Sequence, residues 1–258
     1  MFWSIRILLL LAVVPGAILM YLVYRKDGVE KESPKLLAKL FIFGALTVIS
    51  AMILELIGGA IVNRLLGDTE YPFIFCYFFL VVGLAEELGK FVVLKLATWK
   101  NPEFNYHFDA IVYAVFTGMG FAIVENVMYV FTNGIATGLM RAVTALPGHL
   151  TFAVFMGHFY GQAKYCEANG DEKGKRLNLF LSLVVPVAVH GMYDTLASLN
   201  IQAGAAIFIA FIILMDILAY RRVKKNAAGD APFRAWNTYY SNNAGYNDNN
   251  SGNYGGPY

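Results

Sequence analysis

The sequence predicts an all-α membrane protein, a polytopic bundle of about seven transmembrane helices with its N-terminus outside and its C-terminus inside. Three observations predict it. Of 258 residues, 58% are hydrophobic and 15% charged, with a mean hydropathy of +0.53, whereas soluble domains carry about 25% charged residues. Apolar stretches at about 5–24, 38–63, 72–97, 109–131, 142–164, 177–198 and 202–220 each approach the roughly 20 residues that a helical span needs. The polar connections between them alternate in basic content. One side would hold fifteen Lys and Arg residues, among them Arg25, Lys26, Lys100, Lys175 and Arg222, against Arg6, Arg64 and Arg141 on the other. Basic residues are retained on the cytoplasmic side, which sets the expected orientation and a multi-pass location in the cell membrane.

The first stretch is uncharged from Ile7 to Tyr24 and ends at Arg25-Lys26. It is longer than the apolar region of a signal peptide, so a retained span is expected. The second is longer than a span requires and is expected to tilt or protrude. Its lone Glu55 reads as a bond to a neighbouring helix or as an acid in a polar crevice, outside the expected site.

The third stretch carries Glu86, Glu87 and Lys90. A charge at such depth costs roughly 2.5–3.5 kcal/mol and marks a functional-site candidate. Lys90 lies four residues from Glu86 and three from Glu87, so it can reach either carboxylate from one helical face. One lysine cannot compensate two adjacent acids, which leaves charge for another helix to meet.

The fourth stretch holds Glu125 beside Asn126, with Gly118 and Gly120 before them for close helix packing. Asp109, at its start, reads as a structural acid at a helix N-terminus, about 160° of rotation from Glu125. The fifth contains Pro147, His149 and His158. The two histidines face opposite ways on one helix, and His149 is the expected site residue, beside a helix that Pro147 would break. In the sixth, His190 and Asp194 share a face at i,i+4, where the carboxylate could orient the imidazole. Asp216 in the seventh, like Glu55, reads as a helix-to-helix bond or an acid in a polar crevice, outside the expected site.

From Asn226 onward Asn, Gly and Tyr dominate. The chain therefore divides into a helical domain over 1–225, with its motif-bearing core at about 70–200, and a disordered cytoplasmic tail over 226–258. Cys76 and Cys166 should lie at different depths, which argues against a disulfide or a Cys-based metal site. No nucleic-acid motif appears, and topology accounts for the basic residues.

Carboxylates and imidazoles converging in a bilayer make a wet, polar cavity, expected to lean toward the outer leaflet. Such a cavity suits water activation by a glutamate, with His or an amide stabilising the oxyanion. No serine sits in a nucleophile-elbow context and no His-Glu-x-x-His helix is present. No cofactor is assigned, although a metal ion held by Glu86, Glu125, His149 and His190 would be chemically acceptable. The alternative is a proton- or cation-coupled transporter using the same groups as relays, but the hydropathy shows no inverted repeat.

Four motifs, each in its own span, resemble the PrsW family of intramembrane proteases, within the wider CAAX-protease and bacteriocin-processing superfamily. They are Glu86-Glu87-Leu-Gly-Lys90, Phe121-x-x-x-Glu125-Asn126, the stretch from His149 to Gly157, and His190-x-x-x-Asp194. The resemblance implies that Glu86, Glu87, His149 and His190 are catalytic, with Lys90, Glu125, Asn126 and Asp194 supporting them. It also implies a membrane-protein substrate in the lipid bilayer: a single-span anti-sigma factor cleaved on its extracytoplasmic side.

Overall fold

The computed structural model describes residues 2–67, 69–199 and 202–233. Among them are nine α-helices, one π-helical segment and no strand. The helices are α1 (Phe2–Tyr24), α2 (Pro34–Leu66), α3 (Glu70–Cys76), α4 (Leu84–Thr98), α5 (Asp109–Asn133), α6 (Ile135–Val143), α7 (Ala145–Ala168), α8 (Glu172–Ser198) and α9 (Gly204–Ala228). The π-helical segment, Tyr77–Gly83, joins α3 to α4 without a break. Six helical stretches are individually long and apolar enough to cross a membrane. The remaining expected span, 72–97, is the composite of α3, the π segment and α4, so the polytopic bundle is as the sequence predicts.

Helix α5 is the axis of the bundle. Of its most apolar 18-residue stretch 72% is buried, against 17% for α1 and for α9. It packs on α1, α2, α4, α6 and α7. The outer helices turn large side chains outward: Leu10 on α1, Leu56 on α2, Leu96 on α4 and Phe180 on α8 are all exposed. Lipid is as apolar as these residues, so burial gives the helices little reason to associate, and close backbone packing does more of the holding. At the α2–α5 crossing, a Cβ on Gly44 would overlap the Thr117 carbonyl, and one on Gly120 the Phe41 carbonyl. The π segment and α8 make a similar pair: a Cβ on Gly83 would lie 3.1 Å from the Val187 carbonyl oxygen, and one on Gly191 2.9 Å from the Phe79 Cα.

One end of the bundle is closed by short connections bound to each other. Ser33 caps α2, accepting from the Leu36 N–H, and also binds Glu103 through its backbone N–H and hydroxyl, both at 3.0 Å. Glu32 accepts from the Tyr113 hydroxyl and is buried. Its desolvation pushes the Glu32 carboxyl up to about 7. Beyond α9 the chain turns back: the Phe108 N–H donates to Asp230 at 2.9 Å, the Phe233 N–H to the Asn105 carbonyl at 2.9 Å, and the Phe233 ring packs on Phe104. Residues 226–228 are thus helical and 230–233 docked. The remainder of the expected tail, 234–258, lies outside the described residues.

Two connections differ from expectation. The stretch from Thr132 to Arg141, expected as a polar connection, is helical except at Gly134: Thr132 and Asn133 end α5, and Ile135 begins α6. Helix α6 is a short amphipathic helix, with Leu139, Met140 and Val143 exposed and Gly138 packed on Leu11 and Val130. Pro147 does not break a helix at His149. Helix α7 begins at Ala145, so Pro147 lies in its first turn, where the missing N–H has no intrahelical partner to lose.

Candidate active site

The site is built on four segments, and the first of them begins with the π turn. A π turn inside an α-helix is rare and frequently lies at a functional site. Here it ends at Gly83, three residues before Glu86, which places Glu86 and Glu87 in the first turn of α4. Both acids and Lys90 are buried, at 5%, 1% and 3% exposure. The ammonium of Lys90 donates to Glu86 Oε2 at 3.1 Å and to Glu87 Oε1 at 2.7 Å. It also sits 4.0 Å from the centre of the Phe121 ring, which adds a cation–π contact in a dry setting.

Helix α8 brings His190 against this pair. Its Nδ1 lies 2.9 Å from Glu87 Oε1, while Nε2 lies 3.3 Å from Asp194 Oδ2 and 3.9 Å from Glu86 Oε2. The aligned hydrogen bond is therefore with Glu87. Asp194 Oδ2 is close to the ring but makes no hydrogen bond, so the expected orienting role of Asp194 falls geometrically to Glu87. Phe152 stacks on the His190 ring at 4.5 Å and holds its plane.

Helices α5 and α7 supply a matching pair. His149 Nε2 lies 2.9 Å from Glu125 Oε2, and His149 Nδ1 has no hydrogen-bond partner. Arg141, from α6, donates to Glu125 at 2.6 Å and to Asn126 Oδ1 at 2.9 Å, and its guanidinium lies over the Tyr129 ring. Asn126 Nδ2 in turn donates to the Ala12 carbonyl on α1. The His149 and His190 rings are 5.3 Å apart and nearly perpendicular.

All eight residues expected at the site from sequence lie in this one assembly. Of the two glutamates in the pair, Glu86 borders the central cavity of about 190 Å³, together with Glu125, His149, His190 and Asp194, whereas Glu87 lies behind it. Two residues outside the expected site, Arg141 from a connection between spans and the lone Glu55 of α2, also border this cavity. Asp216 instead accepts from Thr151 on α7, a helix-to-helix bond as expected, and His158 is not part of the cavity wall. Asp109 accepts from the N–H groups of Asn105 and Tyr106, a structural role.

The arrangement has the donor set of a metal centre. Glu86, His149 and His190 each offer one ligand atom, and these lie within 4.8 Å of one another. One carboxylate oxygen and two imidazole nitrogens, with room for water, is a ligand set of catalytic zinc. Each imidazole is backed by a carboxylate, Glu125 behind His149 and Glu87 behind His190. Such a carboxylate fixes the tautomer and raises the basicity of the free nitrogen. The unpartnered Nδ1 of buried His149 is the atom that an ion would satisfy.

Comparison with known proteins matches residues 32–220 to a family described as PrsW family intramembrane metalloprotease. The chain is 31% identical to Protease PrsW of Oceanobacillus iheyensis over 213 residues, 83% of this chain and 93% of that protein. It is 30% identical to Protease PrsW of Clostridioides difficile over 212 residues, 81% of this chain and 86% of the relative. Protease PrsW of Bacillus subtilis is 27% identical over 213 residues, 83% and 92% of the two chains. No solved structure matches.

Proposed function

The chain belongs to the PrsW family of intramembrane proteases, a multi-pass membrane protein in the cell membrane, and from that premise we propose that Glu86, His149 and His190 hold a divalent metal ion and form the catalytic centre. The single observation that carries this reading is the trio of ligand atoms within 4.8 Å, each imidazole backed by its own carboxylate. Bound there, the ion would polarise the scissile carbonyl and make the attacking water more acidic. Water adds to the carbonyl carbon, the C–N bond breaks, and the departing amine takes up a proton.

The chain's own groups divide the remaining work. Glu87 and Glu125 orient the two histidines. Lys90 and Arg141 offset the acids that face them, which a low-dielectric site needs if the carboxylates are to stay charged. The π segment and α8 wall the cavity against lipid. A second reading rests on the position of Glu86 at the cavity wall: without a metal ion, Glu86 itself takes the proton from the attacking water.

The substrate in this account is a membrane protein, a single-span anti-sigma factor cut on its extracytoplasmic side, with the N-terminus of the protease outside and its C-terminus inside. The relatives named above are proteases, and the transporter reading of the same buried groups has no counterpart in those names. The test is a comparison of membrane proteomes from cells carrying the parent protein and Glu86→Gln. Accumulation of an uncut single-span regulator in the variant is expected; identical profiles would overturn the reading.

A further inference from the structure

Five carboxylates stand in or beside the catalytic cavity: Glu55, Glu86, Glu87, Glu125 and Asp194. Four of them are engaged. Glu86 and Glu87 pair with Lys90, Glu125 pairs with Arg141 and His149, and Asp194 stands at ion-pair distance, 3.3 Å, from His190 Nε2 without a hydrogen bond. Glu55, on α2, makes no hydrogen bond or ion pair among the described residues, although it is half-buried in the interior of a membrane-length helix. An uncompensated charge at such depth is unfavourable, so a partner arriving from outside the chain would be bound with advantage. Lys90, Arg141 and the divalent ion proposed above supply four positive charges against five acids, and the acid left without a partner is Glu55, which favours a positive partner over a negative one.

The position of Glu55 is as telling as its lack of a partner. It borders three spaces at once. The first is the catalytic cavity, shared with His149 and His190. The second is a cleft of about 230 Å³ between α2 and α5, which also reaches Glu86. The third is a cleft of about 520 Å³ along α2 and the π segment, running past Gly59 and Tyr77. One turn further along α2, Gly58 and Gly59 let the helix approach the π segment closely, where Cβ atoms would lie 2.6 Å from Val81 and 3.1 Å from Tyr77. That contact fixes the depth of Glu55. A polypeptide segment sliding in from lipid by either cleft meets Glu55 on its way to Glu86.

We propose that Glu55 is a substrate-positioning residue, a carboxylate at the lateral entrance that takes the Lys or Arg side chain of a substrate segment close to the bond to be cut. This rests on the protease reading for its consequence, but not for the binding itself. A charge-assisted hydrogen bond in a shielded site discriminates by about tenfold or more between a donor and an apolar side chain.

The test uses the full-length protein in liposomes with a tagged single-span reporter, its Leu/Ala membrane segment carrying Leu, Lys or Glu at the centre. With the parent protein, kcat/KM for the Lys reporter should exceed that for the Leu reporter by about tenfold. In Glu55→Gln, close to isosteric, the ratio should fall to about one, Glu55→Asp should restore part of it, and Glu55→Lys should shift the preference to the Glu reporter. A preference for Lys that persists in Glu55→Gln, or an equal loss on all three reporters, overturns the proposal. A binding arm separates its failure from that of the protease reading. In the Glu86→Gln background, a photoreactive residue in place of Met52 should capture the Lys reporter in preference to the Leu reporter, and Glu55→Gln should abolish that preference. Selective capture without cleavage by the parent would leave the binding role standing and sink the protease reading; cleavage without Glu55-dependent selectivity would do the reverse.

Discussion

Glu87 on α4 and His190 on α8 are joined at 2.9 Å behind the cavity wall, while Glu86, one residue earlier, faces the cavity. Adjacent residues on a helix point about 100° apart, so the acidic pair cannot serve one purpose twice. In the proposed mechanism Glu86 touches the reacting groups and Glu87 holds an imidazole in place.

That division makes the two glutamine variants unequal. Glu86→Gln should abolish cleavage, a loss beyond about a hundredfold. Glu87→Gln should lose about 10–100-fold, the range for removing the outer partner of a ligating histidine. Single-turnover cleavage assays on both proteins check this, and equal losses would contradict the assignment.

Arg141 reaches Glu125 and Asn126 from the short amphipathic helix α6. Removing one member of a largely buried ion pair leaves the other charge uncompensated, so Arg141→Ala should destabilise the fold by about 3 kcal/mol. The double variant with Glu125→Gln should recover part of that loss, measured by thermal unfolding in detergent. A full additive loss would mean that the two side chains act independently.

Gly120 faces the Phe41 carbonyl across the α2–α5 crossing with no room for a methyl group. Gly120→Ala should therefore destabilise by about 1–3 kcal/mol. Gly28, where a Cβ would lie 3.9 Å from the Lys26 carbonyl oxygen, is the control, and Gly28→Ala should be close to neutral. Unfolding midpoints of the two variants give the comparison.

The end of the bundle that holds Glu32 should respond to pH. Burial raises its carboxyl from 4.5 to about 7. The folded state then binds a proton that the unfolded state has released, so the stabilising contribution is complete below pH 4.5 and is lost as pH rises through 7. Unfolding temperatures should fall across that window, and Glu32→Gln should flatten the slope. A rising profile would contradict the sign.

Much of this was legible in the sequence because its signals are local. Charges in apolar runs marked the spans that matter, and i,i+3 and i,i+4 spacing put Lys90 beside Glu86 and Glu87, and His190 beside Asp194. What escaped was set by contacts between distant parts of the chain. Arg141 sits in a stretch whose polar residues resemble a loop, and its partners are 15 and 16 residues away on another helix. Glu55 has no local partner, so nothing near it in sequence ties it to a site. The π turn arises in an aromatic run that reads as ordinary apolar helix, and Pro147 reads as a break when it is a beginning. The choice between Asp194 and Glu87 as the support of His190 depends on how α4 packs against α8, which spacing within either helix cannot express.

The central claim is that Glu86, His149 and His190 form one metal-holding catalytic centre. Elemental analysis and cleavage assays on the same purified preparation, before and after chelation, test it most directly. The account predicts about one divalent ion per chain, loss of the ion and of cleavage together on chelation, recovery of both when the ion is returned, and an ion-free Glu86→Gln, His149→Gln double variant that remains folded. Full cleavage by protein that contains no metal would contradict it.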